Sequence, residues 1–346
     1  MKDLLKISGI FAFLVIAIPM IGFAARDSAV PEPDEGASET EVTSTTETAS
    51  AVSDISLEEF SVLDYTTGQV MTMTMTEYVI GAVLGEMPAA YGEEALKAQA
   101  VAAHTYAVRR ILCQEETPDP ELMGAYISND SSKYQAYFSP EQAKAFYGSA
   151  YEEYEEKVSK AVNEVIDCVL VYDGEPIVAA FHSISGGKTE SAEAIWGTAV
   201  DYLVPVESEY DEEAPTFYSE SVFTSEELSA RLTQSDYGIT LPEEKEGWLE
   251  IIETTESGTV SAVNVGDKTM TGMELRTLLN LKSPVFEVSY DKEGDSFTFS
   301  VKGSGHGVGM SQYGAGKMAE NGSDYKEILE YYYPGAEVVG IGDIIQ

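Results

Sequence analysis

The sequence predicts an α+β fold in which helices are mixed with antiparallel sheets, and three patterns support this prediction. Between Glu93 and Cys113, apolar residues recur at spacings of three and four, which predicts a helix with a face of small alanine side chains. Between Cys168 and Ser185, two apolar stretches flank Asp173-Gly174, a dipeptide typical of β-hairpin turns. Residues 223–299 then alternate strand and helix patterns, so the two kinds of element are interleaved.

The first 54 residues predict a segment that directs the protein out of the cytoplasm, followed by a linker. A short basic start precedes 19 uncharged residues, Ile7–Ala25, which fit either a membrane anchor or a signal segment cleaved after Gly22-Phe23-Ala24. We therefore assign residues 1–26 to an anchor or signal and expect an extracytoplasmic domain held at the cell membrane, with cleaved secretion as the alternative. Residues 27–54 are rich in Ser, Thr, Glu and Pro and predict a disordered acidic linker, so the folded domain spans residues 55–346.

Charge excludes one class of partner. The formal net charge is −40, and eleven acids but no Lys or Arg lie between Lys188 and Arg231. Binding to phosphate chains requires clustered bases, so nucleic acid is not expected as a partner. The acidic run itself fits a solvated face.

Glu86 is the candidate acid. A helix is predicted from about Thr76, and Gly85 and Pro88 end it, so Glu86 stands between two helices. A carboxyl at such a break can project into a cleft, where desolvation raises its pKa toward the value that a general acid needs. The alternative is an ordinary surface glutamate.

The remaining elements follow from local patterns. Residues 126–137 predict a loop, and a helix is expected from Pro140 to about Asp167 with an interruption near Gly148. A supporting α+β subdomain is expected at about residues 215–300. Its predicted elements are helices at Glu226–Leu232 and 272–281 and strands at 248–253, 260–265 and around Phe286 and Phe297. Two more helices, one through Asn321 and one over 323–333, and a strand at 336–341 are expected to complete the chain.

His306 lies in a run of alternating glycines that fits no nucleotide motif. Starting from Gly303, Gly305 or Gly307, the sixth position of a dinucleotide fingerprint is never glycine. Gly309 and the glycine five residues later have the spacing of a phosphate-binding loop, but alanine follows where lysine is required. No nucleotide is therefore expected.

The other reactive side chains predict no metal site and no catalytic pair, and they leave the state of the cysteines open. None of the three histidines has a partner at the short spacing of local metal sites, so neither a metal nor another cofactor is predicted. Ser183 follows His182 directly, and neighbours on a strand point to opposite faces, so they are not expected to act as a catalytic pair. Cys113 and Cys168 are equally compatible with one disulfide and with two free thiols.

Four segments together resemble a known family. They are "VLGEMPAAYGEEALKAQAVAAHTYAV", "FHSISGGKTESAEAIWG", "TGMELRTLLNLKSPVFEV" and "GSGHGVGMSQYGAGKMAENGSDYKEILEYYYPG". In this order they resemble the blocks of the stage II sporulation protein D family, the SpoIID/LytB domain, over about residues 59–339. The resemblance implies a curved α+β domain with a substrate groove.

The resemblance also implies an activity and partners. It implies a lytic transglycosylase that cleaves the β-1,4 bond between N-acetylmuramic acid and N-acetylglucosamine in peptide-stripped peptidoglycan, during engulfment of the forespore, and leaves 1,6-anhydro ends. The implied partners are peptidoglycan strands, the amidase stage II sporulation protein P and the membrane scaffold stage II sporulation protein M. The alternative is a non-catalytic glycan-binding module that activates a cell-wall amidase.

Family motifs carry site residues onto this chain. Glu86 matches the catalytic glutamate, which would act first as acid and then as base. The implied substrate-binding residues are Lys97, His104, His182, Ser183, Ser185, Gly186, Gly187, Lys188, His306, Gln312 and Tyr313. His104 replaces the arginine of the family's "AARTYA" block, but it could still donate a hydrogen bond to sugar or to Glu86. For His306, two interpretations stay open: it lines the cleft, or it pins its own loop through backbone hydrogen bonds.

Overall fold

The computed structural model describes residues 59–131 and 133–344. The predicted anchor or signal at 1–26 and the predicted linker at 27–54 lie outside these residues. No helix of the described residues is long and apolar enough to cross a membrane.

Helices and strands alternate along the described chain. The α-helices are α1 Met75–Glu86, α2 Glu93–Glu116, α3 Pro140–Tyr147, α4 Tyr151–Val165, α5 Ala192–Trp196, α6 Ser225–Thr233, α7 Gly272–Leu279, α8 Gln312–Glu320, α9 Tyr325–Tyr332 and α10 Ile341–Ile344. Short 3-10 helices occupy Pro120–Leu122, Gly148–Ala150, Glu209–Glu213 and Lys245–Gly247.

The strands form small sheets. They are β1 Glu59–Asp64, β2 Gln69–Thr74, β3 Ile127–Ser128, β4 Cys168–Tyr172, β5 Glu175–Pro176, β6 Phe181–His182, β7 Tyr218–Thr224, β8 Leu249–Thr254, β9 Val260–Val265, β10 Lys268–Met270, β11 Phe286–Asp291, β12 Ser296–Lys302, β13 Met310–Ser311 and β14 Glu337–Gly340. Most pairs are antiparallel, whereas β1–β3 and β6–β13 are parallel. The predicted α+β class is confirmed.

Two hydrophobic cores organise these elements. The first surrounds α2, whose alanines are fully buried and let α1, α4, α8, α9 and β4 pack closely against it. The second lies within residues 223–301, where α6 and α7 cover the sheets β8–β9–β10 and β7–β12–β11. Two loops contact residues of the second part: Glu190, after β6, accepts from Thr255 Oγ1, and Gly305, in the glycine loop of His306, donates from N to Lys282 O.

The hairpin prediction is right at its turn and wrong in its second strand. Asp173 and Gly174 have φ of 52° and 81°, the pair of positive angles that a tight hairpin turn requires. The second strand, however, ends at Pro176, and the chain turns sharply where Ala180 N donates to Val178 O. The chain then forms β6, which pairs with β13 from the distant glycine loop. Neighbouring residues alone could not indicate this partner.

Candidate active site

Glu86 is the last residue of α1. This helix begins with a capping box between Thr74 and Glu77 and ends where Met87 becomes extended, one residue before Pro88. The break predicted from the sequence is therefore present. It leaves the Glu86 carboxyl at the negative end of the helix dipole, which disfavours the charged form.

Glu86 is half-buried as a residue, and one backbone donor holds its carboxyl. Ala136 N donates to Oε1 at 2.5 Å. Tyr78 and Tyr106 lie nearby; burial raises the pKa of both, and the negative charge of an ionised Glu86 would raise both further. Burial raises the pKa of Glu86 to about 8, and the hydrogen bond from Ala136 opposes this rise. Glu86 is therefore protonated at neutral pH, as a general acid must be.

The segment after Glu86 is fixed by two long side chains. Lys157, on α4, donates from Nζ to the carbonyl oxygens of Ala89 and Tyr91. Tyr147 Oη donates to Leu84 O at 2.8 Å, inside the last turn of α1. Together they hold the backbone on both sides of Glu86.

A cavity of about 540 Å³ is lined in part by Ala136, the residue whose N–H is bonded to this acid; Glu86 itself is not among the lining residues. We call it the Asp64 cavity, and its lining includes Asp64, Tyr65, Asn129, Ala136, Tyr137 and Glu141. Ala136 thus contributes both to the cavity wall and to the hydrogen bond with Glu86.

The structure gives Lys97 and His104 partners other than Glu86. Lys97 Nζ lies 2.6 Å from Glu164 and 2.9 Å from Glu94; burial lowers its pKa, but these carboxylates outweigh burial and raise it. His104 is buried, and its Nδ1 lies 2.9 Å from Cys168 O, which can only accept, so Nδ1 is the donor. The ring donor that could have reached Glu86 is therefore used by Cys168 O of β4, and burial lowers the pKa of the ring. A contact of His104 with sugar stays a prediction.

A second cluster joins His182 of β6 to His306 of the glycine loop. Their ring centroids are 5.8 Å apart, and Trp196 lies 5.6 Å from His306. Nδ1 of His182 donates to Val308 O, and Nδ1 of His306 accepts from Val308 N. His306 therefore makes the contact with its own loop that the pinning interpretation requires, and its role in turnover stays a prediction.

Both imidazoles are neutral. Burial lowers the pKa of His182 to about 4. Burial also lowers the pKa of His306 well below its ordinary value, and the nearby His182 and Arg276 lower it further. Within residues 59–131 and 133–344, the Nε2 atoms of both rings have no hydrogen-bond partner. The glycine loop reaches this buried place because its glycines adopt positive φ; at Gly309 (φ 72°) a Cβ would lie 2.0 Å from Ala180 O.

The Ser-Gly-Gly loop is organised by a residue that the sequence did not single out, Asp211. This aspartate is fully buried and accepts from Ser185 N at 2.8 Å and from Ser311 Oγ at 2.7 Å. Burial raises its pKa, and the serine donors oppose that rise. Asp211 is one of the eleven acids of the acidic run, and no local pattern distinguishes it from the other ten.

The remaining predicted residues are spread over this loop and the start of α8. Gly187 N donates to Ser185 Oγ, Gly186 packs on Val285, and Lys188 lies 3.2 Å from Glu207. Lys188 is thus paired with an acid of its own region.

The start of α8 is tied to the Ser-Gly-Gly strand and to α2. Tyr313 N donates to Ser183 O at 3.1 Å, and Gln312 Nε2 donates to Gln99 Oε1 at 3.2 Å. The ring of Tyr91 lies 3.0 Å from where a Cβ of Gly316 would be, so α8 packs directly on the segment that follows Glu86. Tyr313 is half-buried and Gln312 is buried.

The two cysteines of the described chain are free. Cys113 and Cys168 are both half-buried and form no disulfide. Cys168 Sγ instead lies 4.0 Å from Tyr325 Oη. The question left open by the sequence is settled in favour of thiols.

The geometry is that of an α+β protein with a carboxyl of raised pKa at a helix end, bonded to a residue that lines a cavity. A family model described as SpoIID, stage II sporulation protein, matches residues 64–172, which include Glu86, Lys97 and His104. Stage II sporulation protein D of Bacillus subtilis (strain 168) is 37% identical over 269 residues, 78% of this chain and 75% of that protein. The chain belongs to the SpoIID family, as the resemblance in its sequence predicted.

Two further proteins are similar to this chain. Stage II sporulation protein D of Bacillus amyloliquefaciens is 36% identical over 270 residues, again 78% of this chain and 75% of the relative. A protein named amidase enhancer, from Bacillus subtilis (strain 168), is 27% identical over 304 residues, which are 74% of this chain but 39% of that protein.

Proposed function

We propose that this chain has a sporulation role at the cell wall and that it is a peptidoglycan lytic transglycosylase. It would cleave the β-1,4 bond from N-acetylmuramic acid to N-acetylglucosamine in peptide-stripped strands during forespore engulfment. The observation that carries the proposal is Glu86, a carboxyl whose pKa of about 8 keeps its proton available at neutral pH.

The chemistry needs only one carboxyl. Glu86 gives its proton to the glycosidic oxygen, so the N-acetylglucosamine leaves as an alcohol. The Glu86 carboxylate then takes the proton of the C6 hydroxyl of the muramoyl residue, and that oxygen bonds to its own anomeric carbon to give the 1,6-anhydro ring. Water is neither consumed nor released, because the substrate supplies the nucleophile that a second enzyme carboxylate would otherwise provide or activate.

The hydrogen bond from Ala136 N fits both halves of this cycle. It leaves Glu86 able to donate while it is protonated, and it stabilises the carboxylate that proton transfer creates. Lys157 and Tyr147 keep the acid in place by holding the backbone around it.

We expect the protein to be anchored in the mother-cell membrane that faces the forespore, with its folded domain outside the cytoplasm. The amidase stage II sporulation protein P would supply peptide-free strands, and stage II sporulation protein M would act as scaffold. The SpoIID family model and the sporulation relatives support the sporulation role within this setting.

A direct experiment is to incubate the full-length protein with peptide-free glycan strands and analyse the products by mass spectrometry. The proposal predicts fragments that end in 1,6-anhydro-muramic acid. Reducing ends formed with uptake of water would instead assign a hydrolase.

The second candidate is a non-catalytic module that binds glycan and activates a cell-wall amidase. The similarity to the amidase enhancer favours it, as does His104, whose hydrogen bond goes to β4. It predicts strand binding without cleavage, together with faster stem-peptide release by an added amidase.

A further inference from the structure

Arg276, on α7, is a buried cation without an acidic partner. It is 5% exposed, and the one hydrogen bond that its guanidinium makes within the described chain runs from Nε to Lys282 O at 3.2 Å. Burial lowers its pKa to about 10, so it stays charged at neutral pH, and no carboxylate of residues 59–131 and 133–344 offsets the burial. A buried charge is normally paired, because removing it from water is costly. The other N–H groups of Arg276 are therefore available to an anion that is not part of the chain.

Two lysines of the same region also lack acidic partners. Lys302 N donates to Val285 O at 2.9 Å, so the end of β12 lies against the segment that follows α7. In that segment Lys282 is half-buried, whereas Lys302 is exposed, with its Nζ 6.0 Å from the centroid of the Tyr218 ring. The ion pairs of the described residues include neither lysine. We call Arg276, Lys282 and Lys302 the basic cluster; it gathers positive charge in a chain whose formal net charge is −40.

The glycine loop brings a neutral donor near this cluster. Gly305 N donates to Lys282 O, the same oxygen that accepts from Arg276. Burial lowers the pKa of His306, one residue further, and the nearby charge of Arg276 contributes to this effect. Nδ1 of His306 accepts from Val308 N, so the ring proton is on Nε2, which has no partner among the described residues. A neutral N–H therefore lies close to the cation.

The buried acid beside the glycine loop is already bonded. Glu190 N donates to Gly307 O, which places this glutamate next to the loop. Its carboxylate accepts from Ser191 N and from Thr255 Oγ1. Glu190 is thus held by neutral donors, and in the part of the chain that the structure describes it makes no ion pair with the basic cluster. The positive charge of the cluster is left for a ligand.

One group of the proposed substrate matches an unpaired arginine. The guanidinium N–H groups lie in one plane and can bond both oxygens of a carboxylate. In a peptide-stripped strand, each muramoyl residue carries a free lactyl carboxylate. In a strand that keeps its stem peptides, the same lactyl group ends in an uncharged amide. A chain of net charge −40 repels the free carboxylate unless local bases offset the repulsion.

We propose that the basic cluster binds the lactyl carboxylate of a muramoyl residue and that the chain thereby prefers peptide-stripped strands. Arg276 supplies the bidentate contact, and Lys282 and Lys302 attract the anion. The N–H of His306 adds a neutral donor. This assignment rests on the proposed function and adds to it a determinant of specificity that recognises a charge.

The test compares two disaccharides, N-acetylglucosaminyl-N-acetylmuramic acid and its methyl ester, by calorimetry with the full-length protein. Neither contains the muramoyl-to-glucosaminyl bond of the proposed reaction, so binding is measured without cleavage. The two probes differ only at the lactyl group, which is charged in the acid and neutral in the ester. Wild type should bind the acid about ten- to a hundredfold more tightly than the ester, the effect of hydrogen bonds to a charged group. Equal binding of the two probes would overturn the proposal.

Substitutions of Arg276 assign this preference to the guanidinium. Arg276→Met should bind the two probes with nearly equal affinity. Arg276→Lys should keep part of the preference, because the charge remains while the planar set of donors is lost. Thermal melting checks that each variant is folded. Full preference for the acid in a folded Arg276→Met would show that the arginine does not bind the carboxylate.

The lysines carry the test if Arg276→Met does not fold. Lys282→Met and Lys302→Met should each reduce the preference by about two- to fourfold. The matched control is Lys326→Met on α9, another exposed lysine, whose Nζ lies 5.9 Å from the centroid of the Tyr325 ring. It should keep the wild-type preference. In that case, an undiminished preference in both Lys282→Met and Lys302→Met would overturn the proposal.

Cleavage of longer strands separates this site from the proposed function. If wild type prefers the acid disaccharide but forms no 1,6-anhydro ends from peptide-free strands, the carboxylate site stands and the transglycosylase fails. If wild type forms anhydro ends with equal kcat/KM from free and from methyl-esterified strands, the transglycosylase stands and the carboxylate site fails.

Discussion

Glu86 accepts a hydrogen bond from the backbone N–H of Ala136, a residue fifty positions later in the chain. One backbone donor and a low-polarity environment act in opposite directions on the same carboxyl, and burial is the larger effect. The acid is therefore poised to release its proton near neutral pH, and the segment around Ala136 controls how readily it does so.

The pH profile of cleavage should reflect this balance. Only protonated Glu86 can donate to the glycosidic oxygen, so kcat should fall on the alkaline side with an apparent pKa near 8. Initial rates on peptide-free strands between pH 5 and 10 would measure it. An alkaline limb that begins near pH 4.5, the ordinary value for glutamate, would mean that Glu86 is not the proton donor.

The free energy of unfolding should depend on the pKa of Glu86 even without substrate. The folded pKa of Glu86 is about 8 and lies above the unfolded value of 4.5, so the folded state binds more protons between these values. The free energy of unfolding of wild type should fall relative to Glu86→Gln as pH rises from 4.5 through 8. Urea titrations at pH 5, 7 and 9 measure the difference, and a constant difference would contradict the raised pKa.

Lys157→Met should impair turnover more than binding. The change removes the donors to Ala89 O and Tyr91 O, so the segment after Glu86 loosens. We expect lower kcat with little change in KM, and a loss of about 1.5–3 kcal/mol of unfolding free energy.

The matched control lies on the same helix. Lys160→Met removes an ion pair with Glu93 in which the lysine is 61% exposed, so it should change the free energy of unfolding little, because solvent screens the pair. Equal effects of the two variants on kcat would show that Lys157 does not position the acid.

Mild acid should destabilise the fold through His182. Its folded pKa is about 4 and its ordinary value is 6.5, so the unfolded state binds the extra proton between these values. Stability present above pH 6.5 should be lost as pH falls toward 4, at up to about 1.4 kcal/mol per pH unit. His182→Gln should flatten the wild-type slope measured by urea unfolding at pH 7, 6 and 5. An identical slope in the variant would mean that His182 protonates freely in the folded protein.

Local patterns in the sequence predicted most elements and the place of Glu86. The helix break at Pro88, the Asp173-Gly174 turn and the interruption at Gly148 depend on neighbouring residues, so they were visible in advance. Pairing of β6 with β13 joins positions more than a hundred residues apart, and no local signal reports it.

The same distinction applies to the site. Resemblance located Glu86 and the glycine loop, but not the environment that sets the pKa of the acid. Three hydrogen bonds that set this environment join residues far apart in the sequence: Ala136 N to Glu86, Lys157 Nζ to Ala89 O, and Ser185 N to Asp211. His104 shows the converse, because the resemblance allowed a bond to sugar or to Glu86, whereas its Nδ1 donates to Cys168 O of β4.

The most direct test of the central claim compares Glu86→Gln with wild type on peptide-free glycan strands by mass spectrometry. Glu156→Gln, an exposed glutamate on α4, is the control for loss of one charge. We expect 1,6-anhydro-muramoyl ends from wild type and from Glu156→Gln, and none from Glu86→Gln, which still binds strands. Undiminished anhydro products from Glu86→Gln, or none from wild type that binds the strands, would contradict it.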